Sequence, residues 1–161
     1  MEPGKSNFYL DILKEIGNIG AGNAITALAK MIGRRISMNV PEVMIAEFKE
    51  LSEVMGGADR PVFGVTFTMK GDLRGIIVFM MDEDSTHLLA NMLMGRDLTY
   101  CMDMDDMDIS ALKEVGNILV SAYLSSLSTF TGLRLMPSVP CLVHDMLGAI
   151  LSVPAIESGK T

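Results

Sequence analysis

Apolar positions along the chain follow two periods, one helical and one alternating. Over residues 8–32 the apolar side chains recur every three or four positions, which predicts a long helix. Over 62–69 they alternate, and Gly71-Asp72 then turns the chain back into Leu73 to Met81, which predicts a β-hairpin. The helical period returns over 83–94, so we expect a shorter helix after the hairpin.

Less regular segments fill the rest of the chain. Val43 to Phe48 is predicted to be a strand, and Leu51 to Gly57 a short helical turn or a loop. The polar, acidic stretch from Arg96 to Asp108 is typical of a linker. The remaining predictions are a long helix over 107–131, a strand over 141–145 and an apolar segment over 146–156.

The second long helix repeats the first. When the chain is shifted by 99 positions, residues 10–41 align with residues 109–140 without a gap, and 11 of the 32 pairs are identical. Chance would give about two identities in such a window, so the match indicates an internal duplication. The identical pairs include the glycine that ends each helix and the proline that follows it, namely Gly33 with Gly132 and Pro41 with Pro140.

The duplication divides residues 1–161, which we interpret as one domain, into unequal halves. Residues 8–95 form a complete half, whereas 107–161 stop where the second hairpin would begin, since Thr161 corresponds to Val62. Two explanations are open: the duplication was never complete, or this is a shortened form of the chain. We favour the shortened form because the sheet would otherwise expose an unpaired edge, although a swapped or dimeric arrangement would cover that edge as well.

Composition excludes several classes of protein. Hydrophobic residues make up 49% of the chain and charged residues 20%, which excludes an intrinsically disordered chain. We expect a soluble, cytoplasmic protein, because no apolar run is long enough for a membrane span and no secretory signal is recognisable. A net charge of −7 argues against nucleic acid as a partner. The two cysteines and two histidines lack the spacing of metal ligands.

Polar side chains form a ridge along one face of the first long helix. At about 100 degrees per residue, Asp11, Glu15 and Asn18 lie within about 60 degrees of one another, and Gly22 joins the same stripe. The isoleucines lie a quarter to half a turn away and are expected to face the core. The equivalent ridge on the second helix consists of Ser110, Glu114, Asn117 and Ser121.

A single Glu-x-x-Asn pair is typical of a solvated helix face, but two features argue for a function here. Glycine costs nearly 1 kcal/mol relative to alanine in a helix interior, yet Gly17, Gly20 and Gly22 all lie in the first helix. The Glu-x-Gly-Asn core also recurs in the second helix. Because glycines let another backbone approach closely, we interpret the ridge as a docking surface with an amide at its centre.

The residues of the ridge limit the chemistry that it could perform. The sequence shows no nucleophile with a partnered base and no metal-binding motif. A carboxylate and an amide one turn apart can orient a water molecule, which suffices if the substrate is already activated, as an acyl phosphate is. The aspartates before the second helix do not follow the calcium-loop pattern and are expected to stabilise the positive end of that helix.

The ridge residues carry a specific resemblance to a known family. The pattern Asp or Ser, three residues, Glu, two residues, Asn, twenty-two residues, Pro is similar to the signature of the CheC/CheX/FliY family of bacterial chemotaxis phosphatases, and it occurs twice. The run from Lys14 to Ala24 looks most like the CheC branch. The resemblance covers essentially the whole chain, although family members usually continue through a further strand pair and a terminal helix.

The resemblance implies an activity and a role for each ridge residue. Family members dephosphorylate the response regulator CheY: an Asn positions the water that attacks the phospho-aspartate, and a Glu pairs with the active-site lysine of the regulator. Asn18 and Asn117 would therefore orient the water, and Glu15 and Glu114 would anchor the regulator. The implied protein needs no cofactor of its own, because the magnesium ion belongs to the regulator. The residues expected to support docking are Asp11, Gly22, Ser110 and Ser121.

The resemblance and the repeat together predict the fold and the partners. We expect an α/β domain of the α+β type with pseudo-two-fold symmetry, in which two long helices pack on a central, mainly antiparallel sheet. Implied partners are phosphorylated CheY, the receptor-modifying deamidase CheD and flagellar switch proteins, and a homodimer would complete the shorter half. One alternative function is a non-catalytic module that binds regulators or motor subunits, as the similar domain of the switch protein FliM does. A second alternative is an adaptor that works mainly through CheD, with weak hydrolysis. The two intact Glu-x-x-Asn pairs favour catalysis.

Overall fold

Helices and strands alternate in an α+β arrangement. The computed structural model describes residues 3–37, 39, 44, 46–99 and 103–158. In chain order the elements of this part are α1 (Pro3–Ile32), α2 (Phe48–Val54), β1 (Pro61–Gly71), β2 (Gly75–Asp82), α3 (Glu83–Met94), α4 (Asp106–Thr131), β3 (Leu135–Pro137), β4 (Cys141–Met146) and α5 (Leu147–Ser158). Within these ranges, no helix combines the length and the apolar character that crossing a membrane requires.

The four strands form an antiparallel sheet with β1 at its centre. One edge of β1 pairs with β2 along the whole hairpin, from Val62 opposite Asp82 to Met69 opposite Gly75. Along the other edge, β4 pairs with the first part of β1 and β3 with its end. The register shifts between them at Ser138, whose backbone N–H donates to the Thr68 carbonyl at 2.9 Å. The predicted antiparallel sheet is thus confirmed.

The two faces of the sheet are covered by different helices. On one face, Val65 and Phe67 of β1 are fully buried in a cluster with Val120 and Leu124 of α4. On the other face, Val62 packs in a cluster with three residues of α5: Leu147, Ile150 and Leu151. Successive side chains of β1 thus point to opposite faces of the sheet, and helices pack on apolar residues of both faces.

The two long helices pack against each other, and α4 lies between α1 and the sheet. A Cβ built on Gly20 of α1 would lie 2.5 Å from the ring of Tyr123 in α4, so the glycine makes room for that ring. One turn further, the Asn23 side-chain amide donates a hydrogen bond to Ser126 Oγ at 2.9 Å. Ala24 and Leu28 of α1 are buried in a cluster with residues of α3 and α4. The position of α1 is thus fixed mainly by α4.

The turn of the hairpin requires Gly71. Its φ of +119° is one that other residues rarely adopt, and an added Cβ would lie 2.0 Å from the carbonyl oxygen of Arg134. The neighbouring Asp72 N–H donates to that same carbonyl at 2.9 Å, and the Asp72 carboxylate accepts from the Arg134 N–H at 2.8 Å. The first-half hairpin is therefore held by the segment just before β3 in the second half.

Some predicted elements differ from those observed. The predicted strand from Val43 to Phe48 is wrong where the structure describes it: residues 44, 46 and 47 are not in a strand, and Phe48 begins α2. A capping box formed by Glu47 and Glu50 starts that helix. The apolar segment 146–156 is largely the helix α5, and β3 was not predicted. Pro41 and Val43 lie outside the described residues.

Candidate functional site

The first ridge lies on the exposed side of α1. Asp11 and Glu15 are exposed, and Asn18 and Gly22 are half-buried. All four positions lie well inside the helix, so its backbone fixes their spacing: Glu15 and Asn18 are one turn apart on one face. The ridge thus offers a solvated carboxylate beside an amide that is partly sheltered.

The amide of Asn18 has an unusual environment. Its Oδ1 atom is buried and accepts no hydrogen bond in the described part of the chain, although the residue as a whole reaches the surface. A buried polar atom without a partner destabilises a folded protein by about 1–3 kcal/mol. Because native proteins keep few such atoms, each one calls for an explanation, and a functional constraint is a common one. Within the described part of the chain, rotation of the amide would therefore break no hydrogen bond at Oδ1.

The second ridge repeats the first on α4. Ser110, Glu114 and Ser121 are exposed, and Asn117 is half-buried. Ser110 Oγ donates to the carbonyl of Asp106, one turn earlier in the helix, at 2.7 Å. The two glutamates and the two asparagines therefore have matching exposure in the two helices, as the shared motif predicts.

The residues beneath the ridges differ from the prediction at one position. Ile16 and its counterpart Val115 are buried, with 6% and 0% of their surface exposed, and they support the ridges from inside. Ile19 is half-buried. Ile12 does not face the core as predicted, because 40% of its surface is exposed. The periodicity places Ile12 on the flank of the helix, and the described structure leaves that flank partly uncovered.

The glycines of the two helices do not share one role. Gly20 accommodates Tyr123, and a Cβ on Gly116 would lie 2.8 Å from Val65 Cγ1, so both glycines serve contacts inside the protein. Only Gly22 of these three fits the predicted docking role, since an added Cβ there would have no neighbour within 4 Å among the residues that the structure describes. The close approach that we expected for a partner is made at Gly20 and Gly116 by the chain itself.

A cluster at the start of α4 was not predicted as a unit. Asp105 caps the helix: its Oδ1 accepts from the N–H groups of Met107 and Asp108, each at 2.9 Å. Arg96 binds the buried Asp108 carboxylate through Nη1 at 2.8 and 3.0 Å and approaches Asp105 through Nη2 at 3.4 Å. The sequence signal for this cluster is an arginine directly after a helix-ending glycine, Gly95, followed by acidic residues.

The acidic segment before α4 serves the helix as expected. The hydrogen bonds that the Asp105 carboxylate accepts from Asp108 and Met107, together with the charge of Arg96, hold its pKa below the ordinary value. Among the described residues, no three His, Cys, Asp or Glu side chains are grouped so that they could hold a metal ion. The negative charges here lie at the positive end of a helix, where they are stabilising.

Other polar and open features lie on different elements. His144 in β4 contacts Glu83 of α3 at 2.7 Å and stacks on Phe63, with ring centroids 4.0 Å apart. A groove of about 410 Å³ lies on the sheet face that α5 covers in part. It is lined by residues of the strands, of α5 and of the segment before β4, and none of these residues belongs to α1 or α4. The two ridges are thus separate from both features.

Comparison with known proteins identifies relatives of this chain. The family model described as "CheC-like family" matches residues 8–45 and 107–144, the two stretches that the internal repeat superimposes. The CheY-P phosphatase CheC of Bacillus subtilis is 41% identical over 150 residues, which cover 92% of this chain and 72% of that protein.

Two solved structures share the fold. The crystal structure of Thermotoga maritima FliY superimposes with a TM-score of 0.75 at 25% identity, covering 91% of this chain and 71% of that chain. A chain of the FliG–FliM complex from Helicobacter pylori superimposes with a TM-score of 0.64 at 12% identity, covering 83% and 71% respectively.

Proposed function

The chain belongs to the CheC-like family, and from that premise we propose that it is a phosphatase that hydrolyses the phospho-aspartate of a CheY-type response regulator. One observation carries the proposal: each ridge places an exposed glutamate one turn from a half-buried asparagine, and the same arrangement occurs on two helices. The relative with 41% identity that is named a CheY-P phosphatase supports the choice of substrate.

In the proposed reaction the protein supplies orientation and the substrate supplies the reactive bond. A water molecule attacks the phosphorus, and the bond between the phosphorus and the aspartate oxygen breaks. Inorganic phosphate leaves, and the regulator retains its free aspartate carboxylate. Asn18 and Asn117 orient this water through their amides. Rotation of a terminal amide has a broad energy profile, and no hydrogen bond from the described residues holds Oδ1 of Asn18, so this amide can turn toward the water.

The glutamates have a different role in the proposal. Glu15 and Glu114 are exposed, so each can meet a lysine ammonium group on the surface of the regulator. Such a contact fixes the regulator so that its phosphoryl group faces the asparagine one turn away. Asp11 and Ser110, four residues before each glutamate, extend the docking surface, and the magnesium ion is supplied by the regulator.

The proposal includes a cellular location and further partners. We place the activity in the cytoplasm, where the exposed free thiol of Cys141 would persist. Contacts with CheD, with flagellar switch proteins and with a second copy of the chain stay predictions.

The test is the decay of phosphorylated CheY from the same organism, followed with and without this protein. Wild type should accelerate the decay, and the double variant Asn18→Ala, Asn117→Ala should leave it at the regulator's own rate. If the sites act independently, each single variant retains roughly half of the acceleration. Asn39→Ala, which changes an exposed asparagine outside both helices, is the matched control and should behave as wild type.

Two outcomes would contradict the proposal. An unchanged decay with wild-type protein would leave the alternative, a non-catalytic module that binds regulators, CheD or motor subunits. Full acceleration by the double variant would show that the amides do not orient the water. Binding of phosphorylated CheY to the same variants, measured by titration, separates loss of docking from loss of hydrolysis.

A further inference from the structure

The guanidinium group of Arg96 joins the end of α3 to the start of α4. It makes two short contacts with Asp108, at 2.8 and 3.0 Å, and a longer one with Asp105, at 3.4 Å. The Asp108 side chain is 3% exposed and that of Arg96 25%, so the pair is largely removed from water. The same nitrogen, Nη1, reaches both oxygens of Asp108, while Nη2 faces Asp105, so the planar guanidinium group bridges the two carboxylates.

Arg96 is itself held in place by the end of α3. Gly95 has the left-handed φ of +64° that commonly ends a helix, and the Arg96 N–H then donates to the Asn91 carbonyl at 2.9 Å. This backbone hydrogen bond turns the chain so that the Arg96 side chain reaches α4. The backbone position of Arg96 is thus fixed by the end of α3, independently of its side-chain contacts with α4.

The partners of Arg96 in turn define the first turn of α4. Asp105 caps the helix, and the Asp108 carboxylate accepts a hydrogen bond from the Asp105 N–H at 3.1 Å, which completes a capping box. Ser110 lies in the next turn, and Glu114 and Asn117 follow within the same rigid helix. Asn117 is nine residues beyond Asp108, about 14 Å along the helix axis, so a small tilt at the start displaces its amide.

The first turn of the first helix lacks the acidic residues of this cluster. The repeat places Ser6 and Tyr9 at the positions of Asp105 and Asp108, and the first turn of α1 contains no acidic residue. The cluster therefore distinguishes the second ridge from the first, although the ridges themselves match.

We propose that Arg96, acting through Asp105 and Asp108, is a positioning residue for the second Glu–Asn pair and not for the first. The inference rests on the proposed phosphatase function. None of the three residues belongs to the ridge; they set where α4 begins and so where Glu114 and Asn117 face. Loss of the cluster should lower hydrolysis at the second site alone.

The test uses chains in which only one site works. In an Asn18→Ala background only the second site contributes to decay of phosphorylated CheY, and in an Asn117→Ala background only the first. Adding Arg96→Met with Asp108→Asn removes both charges together, so that no buried carboxylate is left unpaired. We expect about a tenfold to hundredfold fall in the first background and no change in the second.

Two further variants separate positioning from general stability. Arg96→Lys keeps a charge, but one ammonium group cannot bridge Asp108 and Asp105 as the two guanidinium nitrogens do, so it should restore an intermediate rate at the second site. Arg60→Met is the matched control, because Arg60 also pairs with an aspartate that caps a helix. Its partner is Asp82, the N-cap residue of α3, at 3.3 Å. This control variant should leave the rate unchanged in both backgrounds. Equal losses in the two backgrounds, or no loss in either, would overturn the proposal.

A measurement independent of hydrolysis covers the case in which wild type fails to accelerate the decay. Hydrogen exchange of backbone amides over 106–117 should become faster in the Arg96→Met, Asp108→Asn chain, while exchange over 11–18 stays as in wild type. This result would support the positioning role even if the proposed activity were wrong. Unchanged exchange over 106–117, or an equal increase over 11–18, would refute the positioning role.

Discussion

The two ridge-bearing helices present matching polar side chains but have different surroundings. On α4, Leu112 is 1% exposed, whereas its counterpart Leu13 on α1 is 38% exposed. The reason is their place in the fold: α4 lies between the sheet and α1, while α1 packs chiefly on α4. A duplicated motif therefore does not guarantee a duplicated environment, and the burial behind each ridge has to be considered separately.

The first turns of the two helices also differ, in their capping and in their charge. The first turn of α4 carries Asp106 and Asp108, is capped by Asp105 and is tied to Arg96, whereas the first turn of α1 has no acidic residue. The capping box and the favourable charges both stabilise a helix start. We conclude that α4 is the more firmly anchored of the two helices.

The largest effect is expected from shortening the paired leucines. Leu112→Ala removes a fully buried side chain from the contact of α4 with α1 and α3, and should lower the free energy of unfolding by about 2–5 kcal/mol. Leu13→Ala should lower it by about 1 kcal/mol or less, because that side chain is already in part exposed. Urea unfolding followed by circular dichroism measures both values.

The result that contradicts this contrast is a loss of similar size for the two variants. It would mean that Leu13 is covered in solution, for example by a second copy of the chain. Sedimentation at several protein concentrations would then distinguish self-association from burial within one molecule.

An intermediate effect is expected from the glycines. At Gly116 an added Cβ would lie 2.8 to 3.2 Å from three side-chain atoms of Val65. One of them is the Val65 Cβ, which is bonded directly to the backbone and cannot rotate away, so the strand and the helix must separate. Gly116→Ala should therefore destabilise the protein by about 1–3 kcal/mol. Gly22→Ala should be neutral or stabilising by up to about 1 kcal/mol, since the site is open and alanine favours helix.

The variant at Gly22 also tests function, whereas the variant at Gly116 tests packing. Gly22 lies on the first ridge, so Gly22→Ala should weaken binding of phosphorylated CheY in the Asn117→Ala background while leaving stability intact. A Gly116→Ala protein as stable as wild type would refute the close contact between α4 and β1. Melting temperatures and CheY titrations on both variants give the two measurements.

Periodicity predicted the elements that have a consistent environment along their length. α4 and the described part of α1 show a helical period because one side of each packs on apolar residues, and β1 alternates over 62–69. α5 was not predicted as a helix because its residues are almost all apolar, so no period distinguishes helix from strand. β3 has only three residues, too few for a pattern.

The ridges could be predicted from the sequence, but what supports them could not. Glu15 and Glu114 are exposed because they are polar positions on helices with one apolar side, a local property. In contrast, Gly20 and Gly22 are two residues apart in sequence, yet only Gly20 meets Tyr123, which lies about a hundred positions later. Contacts between distant segments decide such differences, and the pattern along one helix does not contain them.

The smallest effect is expected from the capping charge at the start of α4. Hydrogen bonds from Asp108 and Met107 hold the pKa of Asp105 below its ordinary value, so folding favours the charged carboxylate. Its contribution to stability is therefore fully present above the unfolded pKa of about 3.9, and is lost as the pH falls through the lower pKa of the folded state. Asp105→Asn keeps an oxygen that can cap the helix but lacks the charge.

The variant should consequently melt slightly below wild type at pH 7, and the difference should shrink as the pH is lowered below about 3.9. Raising the salt concentration at pH 7 should reduce the difference as well, because Asp105 is exposed and its attraction to Arg96 is screened. Melting temperatures of the two proteins at pH 7 and pH 3 are the measurement. An equal difference at pH 7 and pH 3 would show that the charge of Asp105 does not stabilise α4, and would remove this part of the contrast with α1.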